Sequence, residues 1–392
     1  MDAHFEDSMK IGSVKPFILS NIMLQYEMSN KGKSSPVLFM SGPPGIGKSE
    51  VYEQLCREQG FGLSTVYMAQ TSISQISGLP MVKVSDSSGN SKFVPWSIPE
   101  IFRMDNLRVE PVDKYPKIVI LLLDDCHLID KSRQNFLFQL LLQKRINNHA
   151  LGPEIIINLA GNGSDDKAGF QPFLSPITNR IFYLDVRPDY EQWVSDFAYK
   201  YGIRNDIIEF LSFGDFLMGT PLESQPWPSP RSWTFVSDSI NEYESMNYSL
   251  DSRTRYMIAK GHVGKEFASE YVQYVELLAG WEANKILAGT KSVDFSNLDR
   301  MHCYGLITAC INQLKVILKS NEFDSRLCKN ELNIFKNIVS SVSSTCPEVI
   351  PLAIRTLVQE EIAVTGKSLI TTILIDNLDK NTCSIVADML RE

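Results

Sequence analysis

Residues 40–50 read MSGPPGIGKSE and sit directly behind the apolar run Val37-Leu38-Phe39. Within this stretch GPPGIGKS, residues 42–49, fits the spacing G-x-x-x-x-G-K-[ST]. A phosphate chain needs several backbone N–H groups aimed into one small concavity. Side chains at Gly42, Gly45 and Gly47 would block that approach or forbid the backbone angles it requires. Pro43 and Pro44 stiffen the start of the loop. A helix is expected to begin near Lys48, so that its N-terminal dipole faces the phosphates. Lys48 is then expected to reach the β- and γ-phosphates, and the Ser49 hydroxyl to ligate Mg²⁺. The expected nucleotide-contacting segment runs through Gly42, Pro43, Pro44, Gly45, Ile46, Gly47, Lys48, Ser49 and Glu50. A bare strand-to-helix turn needs one glycine and gains nothing from a buried lysine. A strand over 36–40 and an amphipathic helix over 50–59 that stops at Gly60 supply the required context.

Residues 117–127, KIVILLLDDCH, form a near-continuous apolar run that ends in acids. This is the pattern of a central parallel strand, whose carboxyl end is where ligands sit in open α/β sheets. Asp124 is expected to hold Mg²⁺ through water, and Asp125 to orient or deprotonate an attacking water. Two solvated turn aspartates would look the same in isolation; a phosphate loop upstream favours the functional reading. The second acid of such motors is usually glutamate. Aspartate is one methylene shorter, which sets the base about 1.5 Å farther back unless the backbone compensates, so slow hydrolysis or a binding switch is also open.

The 392 residues are enough for two or three domains, and an apolar share of 44% is enough for a sizeable core. The formal charge of −8 argues against nonspecific coating of nucleic acid. The longest strongly apolar run, residues 118–123, is far short of the ~20 that span a bilayer. The acidic start MDAHFEDSMK has no apolar h-region, so a cytoplasmic protein with no membrane association is expected. Seven cysteines without C-x-x-C spacing and five histidines without a helical ligand pair read as reduced thiols and no structural metal site.

LLLDDCHLIDKSRQNFLFQLLLQKRINNHAL, residues 121–151, resembles the stretch from the acidic strand through the next helix in MoxR-like AAA+ ATPases. The helix is expected over 132–144, with Leu137, Phe138, Leu141 and Leu142 on one sheet-facing side, and His127 as a packed residue before it. A hairpin over 145–151 turns at Asn147-Asn148. EIIINLAGNG, 154–163, ends in Asn162 and is similar to the family's sensor 1. TNRIFYLDV, 178–186, resembles the segment that carries the arginine finger, which makes Arg180 the residue reaching the neighbouring subunit's site. WPSPRSW, 227–233, resembles sensor 2, with Arg231 on the γ-phosphate. SGLPMVKVSDSSGNSKFVPWSIPEIF, 77–102, holds two short strands, 81–84 and 92–94, around Ser88-Gly89-Asn90. It resembles the hairpin insert of the MoxR and McrB branches, with Phe93 and Trp96 as candidates for pore contacts. The resemblance spans about residues 10–285, and its motifs come in the family's order.

The resemblance implies an α/β fold: a P-loop AAA+ three-layer core with a parallel sheet over 1–188, an all-helical lid over 189–288, and a helical C-terminal extension over 289–392. It implies ATP and Mg²⁺ as cofactors, catalytic roles for Asp125, Asn162, Arg180 and Arg231, and a homo-oligomeric ring, most often a hexamer. It also implies a remodelled partner, with a von Willebrand A-domain protein as the commonest companion of the family. A McrB-like motor on nucleic acid is the alternative; its basic candidates Lys83, Lys92 and Arg145 are dispersed and make no patch. A nucleotide-gated scaffold with negligible turnover is a third reading, motivated by Asp125. Helical periodicity covers 190–203, 205–219 and 264–287, then 299–319, 329–342, 347–360 and 368–391. Near the start, Met9, Ile11 and Val14 are equal candidates for the adenine contact.

Overall fold

The computed structural model describes residues 8–81, 96–103, 107–111, 118–163, 171–220, 225–295, 298–320, 327–346, 349–350, 353–354, 372–373 and 375. The chain forms two units, Met1–Asp189 with Thr220–Glu223 and Ser229–Arg231, and the remainder from Tyr190 onward. The first is an α/β P-loop core and the second is helical, which is the fold class expected from the sequence.

The first unit is built on β1 (Met9–Lys10), β2 (Val37–Ser41), β3 (Gly62–Tyr67), β4 (Val119–Asp124), β7 (Ile155–Gly161) and β8 (Ile181–Arg187). These pair in the order β1-β8-β2-β7-β4-β3, every neighbour parallel. The three central strands, β2, β7 and β4, are buried along their whole length, because helices cover both faces. That double burial is why their sequences run apolar without alternation. The short strands β5 (Arg145–Ile146) and β6 (His149–Ala150) form the expected hairpin, with Asn147 at φ 50° in its turn.

The helices of this unit are α1 (Lys15–Asn30), α2 (Lys48–Gln59), α3 (Ile73–Ser77), α4 (Lys131–Gln143) and α5 (Ser175–Thr178). α4 corrects one expectation. Its buried side is Gln134, Leu137, Leu140 and Leu141, whereas Phe138 and Leu142 are each 36% exposed. The side is rotated because Gln134 is committed to the core. Its amide donates to Ile129 O and Pro172 O, and its Oε1 accepts from Leu174 N–H. A polar residue satisfied by loop backbone carries no apolar signal. α1 is fixed by a similar device: Gln25, 1% exposed, reaches Asn21 Oδ1 at 2.7 Å, Asn158 Oδ1 at 2.9 Å and Ile157 O at 3.0 Å.

The second unit contains α6 (Tyr190–Trp193), α7 (Tyr199–Tyr201), α8 (Asn205–Leu211), α9 (Pro230–Ser245) from Ser232 on, α10 (Ser252–Val263), α11 (Lys265–Gly280), α12 (Ala283–Leu287), α13 (Arg300–Ser320) and α14 (Lys329–Thr345). A π-helical turn at Val194–Ala198 interrupts the helix expected over 190–203. The helix expected over 205–219 ends at Leu211. α10 was not signalled by apolar periodicity; the Asp251 carboxylate caps it by accepting from Thr254 N–H. The core here is aromatic: Phe210 packs on Phe216, Trp233, Tyr271 and Tyr274. The hairpin strands expected at 81–84 and 92–94, apart from residue 81, lie outside the described residues with Phe93, Lys83 and Lys92, as does most of the helical segments expected at 347–360 and 368–391.

Replacing Gln25 by Leu leaves two side-chain oxygens and one carbonyl short of a donor inside the core. Chemical denaturation of Gln25→Leu is expected to show a loss of ~1–3 kcal/mol; an unchanged midpoint and slope would show the network to be dispensable.

Candidate functional site

The site is assembled at the carboxyl ends of β2, β4 and β7. β2 delivers the loop that begins at Gly42. An added Cβ at Gly42 would sit 2.4 Å from Val186 O of the neighbouring strand, so that glycine is demanded by packing. Gly45 and Gly47 are demanded by conformation, at φ +82° and +101°. Gly47 then caps α2, which starts at Lys48. Helix α2 therefore aims its N-terminal N–H groups into the loop's concavity.

Four side chains converge there. The Ser49 hydroxyl donates to Asp124 Oδ2 at 2.5 Å. The Lys48 ammonium, in a residue 8% exposed, donates to Gly42 O at 2.7 Å, Pro43 O at 2.9 Å and Asn162 Oδ1 at 3.2 Å. Asp124 is positioned by its own turn, accepting from Asp125 N–H at 2.9 Å. Asp125 has left-handed backbone at φ 57°, which ends β4 and turns the chain away from it. Its carboxyl is held above the ordinary aspartate value, by burial first and by Asp124 second, against the pull of Lys48 and Arg231.

Sequence reasoning anticipated Lys48, Ser49, Asp124 and Asn162, and the structure brings these four together. Asp125 and Arg231 lie close enough to share an electrostatic field. Arg231 also sits against the loop, its N–H donating to Gly45 O at 3.2 Å. Two contributors were not read as part of the site. His127, 1% exposed, accepts the Asn162 N–H on Nδ1 at 3.0 Å, which fixes the residue that touches Lys48. Ser229 lies under the loop, its Oγ 2.8 Å from where a Cβ on Gly45 would stand. Neither has a spacing signature. Glu50 faces along α2 to Gln54 and Arg57. Pro43 and Pro44 hold the partly exposed outer turn, and Ile46 is buried beneath it. Of the adenine candidates, Ile11 and Val14 are buried and Met9 is partly so.

Arg180 is elsewhere. It precedes Ile181, which pairs with Val37 at the start of β2, whereas the loop lies level with Val186. Six residues of strand separate the two levels, roughly 20 Å at ~3.3 Å per residue. The Arg180 guanidinium lies 4.4 Å over the Phe138 ring and donates from Nη1 to Pro176 O. That contact gives the partly exposed Phe138 ring a partner.

One hydroxyl and one carboxylate on a shared line suit a small hard cation completed by waters and phosphate oxygens. Among the described residues, no group of three or more His, Cys, Asp or Glu side chains is placed to hold a metal alone. Loop amides, a lysine and this oxygen pair fit a magnesium–phosphate ligand.

No protein-family model matches the chain, and no curated protein matches it. Among solved structures it is similar to the Aeropyrum pernix ORC2 protein in its ADP form, at 10% identity and a TM-score of 0.38, over 75% of this chain and 79% of that one. It is also similar to a RuvB variant from Thermotoga maritima, at 10% identity and a TM-score of 0.30, over 72% and 80%. Such low likeness adds nothing to the site geometry.

The Arg180–Phe138 contact is measurable by a double-mutant cycle on stability. Arg180→Met and Phe138→Leu are expected to couple by ~0.5–1 kcal/mol, and strictly additive losses would contradict the stacking.

Proposed function

We propose that the protein is an ATP-hydrolysing AAA+ motor of the MoxR-like type, acting in a homo-oligomeric ring, most often a hexamer, to remodel a partner. The observation that carries this reading is the convergence of Lys48, Ser49, Asp124 and Asn162 on one concavity at a helix N-terminus. Residues 1–188 would be the motor core, 189–288 its lid and 289–392 an extension.

ATP binds with its phosphates on the loop amides of residues 42–49. Lys48 exchanges the Gly42 and Pro43 carbonyls for β- and γ-phosphate oxygens. Ser49 and Asp124 would hold a magnesium ion, which would supply neutralisation of charge on the transferred group. Asn162, fixed through His127, orients the attacking water, and Asp125 takes its proton. Arg231 reaches the γ-phosphate. Arg180, remote from its own chain's loop, stabilises transferred charge at a neighbour's site. Closure and release of the nucleotide move the helical part against the core and so act on a partner, for which a von Willebrand A-domain protein is the family's precedent. Among the described residues no helix is long and apolar enough to cross a membrane.

Steady-state turnover tests the reading. Asp125→Asn is expected to lower kcat ~10²-fold or more with ATP binding kept. Arg180→Ala is expected to lower it ~10³-fold or more. Mixing Lys48→Ala with Arg180→Ala protein should restore part of the rate, because the first donates the finger and the second the nucleotide. Loss in Arg180→Ala without recovery on mixing contradicts the trans role.

Asp125 favours one second reading, a nucleotide-gated scaffold with little turnover, because its side chain is short and its carboxyl holds its proton more tightly than usual. Under the motor reading, the acidic limb of the pH–rate profile lies above 3.8, the ordinary aspartate value, since activity needs the deprotonated form. Asp125→Glu is expected to raise kcat. ATP binding with no turnover in either form would favour the scaffold.

A further inference from the structure

A cavity of about 320 Å³ opens in the first unit at the opposite end of the sheet from the phosphate loop. Val37, the first residue of β2, and Ile157 of β7 form its floor, and the ends of α1 and α4 form its walls. Its polar lining includes Ser29, Lys33, Ser34, Ser35 and Lys144, and no aspartate or glutamate. Lys144 is partly buried where α4 ends, in left-handed backbone at φ 47°. Its ammonium donates to Ser29 Oγ at 3.2 Å and Pro153 O at 3.4 Å, both at or beyond the long end of the usual range. No carboxylate among the described residues lies within the 4.0 Å of an ion pair; the exposed Glu154 acts on it only from farther away. Burial pulls the Lys144 amine down to about 8, the behaviour of a desolvated cation without a close counter-ion.

We propose that this cavity is a second anion site that takes a small phosphomonoester. The phosphate sits between Lys33, Lys144 and the hydroxyls of Ser29, Ser34 and Ser35. A ring or alkyl body packs on Val37, Leu151 and Ile157. The volume lies at the small end of ligand pockets, and the mix of an apolar floor with a few convergent donors is their usual make-up. The competing account is that the two lysines only complement the negative ends of α1 and α4. Those ends are already capped by backbone, Lys33 N–H on Met28 O and Lys144 N–H on Leu140 O, and that account leaves Ser34 and Ser35 without a role.

Phenyl phosphate is the probe, titrated calorimetrically into Lys48→Ala protein so that the phosphate loop does not contribute. Saturable binding is expected to persist, to be several-fold tighter than that of inorganic phosphate, and to weaken about tenfold or more in Lys48→Ala/Lys144→Met. Phenyl phosphate should also raise the melting temperature of Lys48→Ala and not of the double variant, which separates lost binding from lost folding. Should Lys48→Ala not fold, Lys144→Met in the otherwise unchanged chain should lose one of two phosphate-binding events. Binding that vanishes with Lys48→Ala in a folded protein, or that survives Lys144→Met undiminished, overturns the proposal.

Discussion

The hydroxyl-to-carboxylate contact between Ser49 and Asp124 organises the first unit. The two residues are 75 positions apart, and they come from strands that are not neighbours. β7 lies between β2 and β4, so the two strands that lead to this pair are about 10 Å apart, two strand spacings. The gap is closed because the loop after β2 folds across the end of β7 before α2 begins. An order without β7 between β2 and β4 would put β7's end, and Asn162 with it, outside the concavity. Sheet topology is therefore what turns a glycine-rich loop into a site for a metal-bound phosphate.

The loop itself is held by requirements of different kinds. Gly42 yields to the backbone of β8, Gly45 to Ser229 and Arg231 as well as to its own left-handed angles, and Gly47 to the start of α2. Lys48 is bound to carbonyls of the loop it belongs to. Those bonds satisfy a buried ammonium without a ligand, and each can be traded for a stronger one to a phosphate oxygen. The site can thus exist before its ligand arrives without leaving a buried charge unsolvated.

The legible parts of this molecule were those written in local spacing. GPPGIGKS, the apolar run ending in Asp124, and the strand ending in Asn162 each announce a strand, its end and the chemistry there, and parallel strands deliver such ends to one side by geometry alone. Other features depend on contacts distant in sequence. Gln134 was invisible as a core residue because its partners are loop carbonyls, and that misplaced Phe138 and Leu142. His127 reads as packing until Asn162 N–H is seen on its ring. The polar network of Gln25 and Asn158 likewise needs α1 laid on β7. Capping explains α10 better than hydrophobic period does, since its buried residues are few.

The most direct test of the central claim is the magnesium dependence of ATP affinity, measured by equilibrium titration with and without Mg²⁺. If Ser49 and Asp124 share one cation with the phosphates, Mg²⁺ tightens ATP binding in the wild-type chain. That gain should disappear in Ser49→Ala and in Asp124→Asn, with no further loss when both are combined. A magnesium gain that survives intact in both single variants would mean that the two residues do not hold a common ion, and the account of the site would be wrong.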